Sequence, residues 1–134
     1  MKGSFLMGDE YRLSFCLLKR LPGRIVEVVP DAGVEIDLPM VAELDRTMIA
    51  MMGDTFAILV NKVNSYSVSF EAQIKIGLLE EVKATAVVAY DSFGAMGAQQ
   101  IKDMTEGGGE KKIDIFFDKV QAISSLEEKM AAFP

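Results

Sequence analysis

The sequence contains no histidine. That removes Ser-His and Cys-His nucleophile pairs, and with them the commonest zinc ligand. Its single cysteine, Cys16, cannot close an intramolecular disulfide, so we expect a reducing, cytoplasmic setting. Cys16 stands among Phe15, Leu17 and Leu18 and reads as a small buried hydrophobe rather than a reactive thiol. No apolar run approaches the roughly 18 residues of a spanning helix. Phe5-Leu6-Met7 is too short for a signal peptide's apolar region, so neither export nor membrane insertion is expected. Clustered basic residues are lacking too. Lys19-Arg20 and Lys111-Lys112 are the only adjacent pairs, and the net charge is −6. A nucleic-acid backbone and an anionic membrane are both poor partners for such a surface.

What is present fits one α/β domain. Half of the 134 residues are hydrophobic and a quarter charged, enough to bury a core and stay soluble. Residues 1–12 mix glycine and charge without a period and read as a loose arm; residues 13–134 read as a single domain. "LSFCLLKR" (Leu13 to Arg20) and "RIVEVV" (Arg24 to Val29) are strands joined at Pro22-Gly23, hence antiparallel neighbours. Val41, Leu44, Met48 and Met51 then recur at helical spacing, with Asp37 placed to cap the start and Gly53 the end. "TFAILV" (Thr55 to Val60) and "ATAVVAY" (Ala84 to Tyr90) lack alternation, as strands buried on both faces do.

Between those strands the spacing predicts a helix over Phe70 to Val82, capped by Ser69, with Ile74, Leu78 and Val82 inward. A weaker helix follows Asp91-Ser92 to about Thr105, its propensity lowered by Gly94 and Gly97. "IDIFF" (Ile113 to Phe117) is the last strand. Asp118 caps a closing helix expected to turn Val120, Ile123, Leu126 and Met130 inward. Strand-helix-strand units of this order imply a mixed, mostly parallel sheet of about five strands with four helices.

Few segments carry a chemical signal. Gly107-Gly108-Gly109 precedes a strand and lacks a Gly-Lys-Ser/Thr ending, so it reads as a connector rather than a phosphate loop. Met48, Met51 and Met52 read as pliable core. Ligands of open α/β sheets gather beyond the carboxyl ends of the strands. Asn61, Ser65, Asp91 and Asp118 stand at those ends and form a candidate pocket, although Asp91 and Asp118 also suit helix caps. Asn61, Asn64, Ser65, Tyr66 and Ser67 exceed what a cap requires, and they form a candidate interaction or regulatory loop. No cofactor and no metal is implied by any cluster.

"VNKVNSYSVSFEAQIKIG", "ATAVVAYDS" and "IDIFFDKVQAISSLEEKM" together resemble a small bacterial branch of the SpoIIAA-like, or STAS, fold related to the STAS/SEC14 group. The resemblance covers Leu13 to Phe133. It implies a non-enzymatic regulatory domain that binds a protein partner, or a second copy of itself, through the loop after the third strand. In STAS antagonists a regulatory serine follows a buried strand and opens a helix, within an Asp-Ser-Ser-Gly-like motif. Ser65 and Ser67 take that place here, with Asn64 before and Val68 after them. The alternative is a binder of a small-molecule or lipid-like ligand, or a cryptic enzyme, at the polar carboxyl ends of the core strands.

Overall fold

A computed structural model describes residues 4–5, 9–76, 78–104 and 113–133. Strands β1 (Ser4–Phe5) and β2 (Glu10–Arg12) pair antiparallel, and β2 pairs with β3 (Cys16–Leu21). A short turn leads from β3 into its antiparallel neighbour β4 (Ile25–Pro30). Beyond β5 (Glu35–Ile36), helix α1 (Leu38–Met52) leads to β6 (Phe56–Asn61). After β7 (Ser67–Val68) come α2 (Phe70–Lys75), β8 (Val82–Val88), α3 (Ser92–Met104), β9 (Ile113–Phe116) and α4 (Lys119–Met130). The main sheet runs β1-β2-β3-β4-β6-β8-β9, parallel from β4 onward; β5 and β7 form a separate parallel pair.

The fold is therefore α/β with a mixed sheet and four helices, and the five expected strands are β3, β4, β6, β8 and β9. Three differences from the sequence reading have physical causes. Residues 10–12, expected in a loose arm, extend the sheet because β3 offers them an open edge. Helix α2 stops at Lys75 rather than near Val82, since Val82 is drawn into the β8 ladder opposite Phe56. Val120, expected inward, is 74% exposed. Ala122, Leu126 and Met130, at i, i+4 and i+8, set the phase of α4, and Val120 falls outside that stripe. The Gly107–Gly109 connector lies outside the described residues.

Successive crossovers from β4 to β9 advance in one direction across the sheet. Right-handed connections of that kind leave their helices on one face. Val41, Leu44 and Met48 of α1 and Ala72 of α2 accordingly share a core with Val26, Val28 and Ile58. α3 adds Ala98 against Val87 and Ile113. α4 covers the other face, where Ala57, Ala84, Ala86 and its own Ala122 allow close approach. Arg24 anchors the far end of α4, its guanidinium donating to the Met130 carbonyl at 2.9 Å. Cys16 is fully buried, and burial, aided by Asp31, pushes its thiol up to about 12.

Candidate functional site

The polar stretch after β6 is held chiefly by its backbone. Gly33 donates to the Ser65 carbonyl at 2.8 Å, Ser67 to Val34 at 3.0 Å, and Ser69 to Ile36 at 2.8 Å. Asn64 Nδ2 adds a bond to the Pro30 carbonyl at 3.0 Å. Ser69 accepts from the Ala72 amide at 3.2 Å and so caps α2. Ser65 and Ser67 point to solvent, while Tyr66 turns inward against the core.

Strand alternation then separates Asn61 from its neighbour Lys62. Successive side chains of an extended chain face opposite sides, and Lys62 stays in the ladder because its amide donates to Val88 at 3.0 Å. Asn61 faces α4. There its Nδ2 donates to Glu27 Oε2 at 2.8 Å, and its Oδ1 accepts from the Tyr90 hydroxyl at 2.8 Å. Glu27, only 1% exposed, is matched by Lys119 Nζ at 3.0 Å. Its other carboxylate oxygen is buried without a partner.

Lys62 faces the opposite way, toward α1, α2 and α3. Beneath it lies a cavity of about 80 Å³, walled by Ile58 and Val60 of the sheet, Leu44 and Met48 of α1, and Ala98 and Ile101 of α3. A buried water needs only about 10–15 Å³ on this measure, so the space greatly exceeds an ordinary packing defect. Four polar side chains reach its wall: Asp45, Lys62, Tyr66 and Thr85.

An outer groove of about 210 Å³ adjoins the cavity, bordered by Ser67, Gln73, Gly97 and Gln100. Lys62, Tyr66, Val68 and Ile101 belong to both walls, so Lys62 and Tyr66 stand where the two spaces meet. Gln100 donates to Gln73 at 3.1 Å, joining α3 to α2 beside the groove. The Lys62 ammonium lies 4.4 Å above the Tyr66 ring, a cation–π arrangement. Gly94 and Gly97 provide its bed. A Cβ at Gly94 would stand 3.6 Å from Lys62 Cε, and one at Gly97 3.6 Å from Nζ.

The electrostatics follow from burial. Desolvation lowers the pKa of Lys62, opposed in part by Asp91. Burial raises that of Tyr66. Burial, then Glu81, pushes Asp45 up to about 6. No carboxylate among the described residues lies within ion-pair distance of Lys62.

Of the pocket residues expected from sequence, Asn61 belongs to the α4 face and Ser65 to the surface. Asp91 accepts from the Gly94 amide at 2.7 Å and Asp118 from Val120 at 2.9 Å, the bonds of helix caps. The four do not converge on one pocket. Tyr66, from the candidate loop, does line the cavity, and Lys62 is the residue that sequence reading passed over. Its signal was a lone cation directly after a buried strand. Among the described residues no cluster of acidic or cysteine side chains could hold a metal, and no helix is long and apolar enough to cross a membrane. No protein-family model, curated protein or solved structure matches the chain.

Proposed function

We propose that the protein binds a small organic acid, its apolar body in the cavity and its carboxylate at Lys62. The observation that carries this reading is a half-buried cation at the junction of an apolar cavity and a polar groove, with no carboxylate of the described residues within ion-pair distance. Ligand sites characteristically combine apolar walls with a few convergent polar groups. Charge-assisted hydrogen bonds contribute about 1.5–3 kcal/mol, so Lys62 alone would favour an acid over its uncharged analogue roughly tenfold or more.

Saturation-transfer NMR with benzoate and isovalerate, against benzyl alcohol and isoamyl alcohol, tests this. Both acids should bind the wild-type protein more tightly than the alcohols, and Lys62→Met should abolish that preference. Absence of transfer to all four compounds, or an unchanged preference in Lys62→Met, sinks the proposal.

A second reading rests on the exposed face of the same loop. Val63 and Phe70 are 59% and 63% exposed and flank Ser65 and Ser67. A non-enzymatic, STAS-like regulatory domain would dock a protein partner there, and a ligand against Tyr66 would bias how the loop is presented. Ser65→Asp, which partly imitates a phosphate's charge, should then weaken capture of that partner. Equal recovery of the same protein by wild type and Ser65→Asp would remove this reading.

A further inference from the structure

Lys62 has an environment unlike that of the paired lysines. Lys119 meets Glu27 at 3.0 Å and Lys129 meets Asp114, so each ammonium is paired with a carboxylate. Lys62 instead has the Tyr66 ring on one side and the glycine surface of α3 on the other, with mostly apolar cavity walls beneath, and Asp91 acts on it only from beyond ion-pair distance. Its backbone is fixed in the sheet by the bond to Val88, so the amine is delivered to one place.

A desolvated lysine in an apolar pocket is a better nucleophile than one in water, because more of it is the neutral amine. An apolar cavity directly below concentrates the apolar part of a reactant beside it, which supplies proximity.

We propose that Lys62 is a nucleophilic amine that captures small apolar aldehydes and ketones as an imine at the cavity mouth. The nitrogen lone pair forms the C–N bond, the carbonyl π bond breaks, and the oxygen takes up one amine proton to give a carbinolamine. Loss of that hydroxyl with the second amine proton releases water and leaves the C=N bond. No electrons change hands. The inference rests on the proposal that the cavity accepts ligands, but it requires an amine where acid binding requires only a cation.

That difference makes the two separable. The intact protein is treated with butanal and sodium cyanoborohydride, and butyl additions are located by peptide mapping. Lys62 should be labelled faster than Lys83 or Lys102 by about an order of magnitude, as proximity and desolvation together imply. Excess benzoate should slow labelling at Lys62 alone. Lys62→Arg should lose the fast label, since the guanidinium keeps the charge but is not a nucleophile. Labelling spread over the lysines in proportion to their exposure, with benzoate still bound by the wild type, overturns the imine and leaves the binding proposal standing. Uniform labelling without benzoate binding overturns both.

Discussion

Gly97→Ala should stabilise the fold and weaken the site together. Gly97 lies in the interior of α3, where glycine is about 0.8–1.0 kcal/mol less favourable than alanine. Among the described residues the added Cβ would meet only Lys62 Nζ, at 3.6 Å, an ordinary van der Waals separation. No strain offsets the propensity gain, so a rise of about 0.5–1 kcal/mol is expected from urea unfolding at unchanged slope. The same methyl group stands on the groove wall against the ammonium, where a bound carboxylate would lie. Benzoate affinity should therefore fall. Gly94→Ala is the control. Its Cβ would stand 3.3 Å from Asp91 Oδ1 and 3.4 Å from Ala89 Cβ, close enough to disturb the cap, so no gain is expected. Should Gly97→Ala gain stability yet bind benzoate as tightly as wild type, the groove beside Gly97 is not where the carboxylate sits. A loss of stability would refute the packing argument itself.

Three further outcomes follow from burial and charge. Ile58→Ala, at a 7% exposed position on the cavity wall, should cost about 2–5 kcal/mol in urea unfolding, and a cost below about 1 would contradict the burial. The folded state raises the Asp45 pKa from 3.8 to about 6, so its contribution to stability is full below the lower value and is lost as pH rises through about 6. Asp45→Asn should thus be the more stable protein at pH 7, by about 1 kcal/mol once screening at this half-exposed group is allowed for, with the gap closing toward pH 4. Lys119→Met strands the Glu27 carboxylate and should cost roughly 2–4 kcal/mol by thermal or urea unfolding; a neutral result would mean the ion pair is dispensable.

Local signals were legible where one segment decided its own structure. Helix α1 is the clearest case: Asp37 Oδ1 accepts from Met40 at 3.0 Å, and Gly53, at φ +72°, donates to Ile49 at 2.9 Å. Both caps were readable from residue type and spacing. Val120 misled because an apolar residue in a helix's first turn shows no phase of its own; the stripe downstream fixes that. Tyr66 stood out as surplus to a cap. Lys62 did not, because its importance arises from three distant facts at once. It follows Asn61, the last residue of β6, by one alternation, it lies over the Tyr66 ring, and it rests on two glycines of α3. Those glycines were visible only as a weakness in a helix.

The length of α2 explains why a cavity exists at all. Six helical residues rise about 9 Å, whereas the six residues of β6 extend about 20 Å. α2 therefore spans less than half of the strand length on its face. Ile76 already has extended backbone, and the chain beyond it leads into β8 rather than adding a helical turn. Leu44 and Met48 of α1 and Ile101 of α3 approach from the two sides without filling what α2 leaves open. The apolar spacing suggests a helix continued to Val82, but Val82 instead pairs with Phe56 in the β8 ladder. Opening of the cavity and shortening of α2 are thus one event, and Lys62 and Tyr66 stand at its edge because the chain enters α2 from the end of β6.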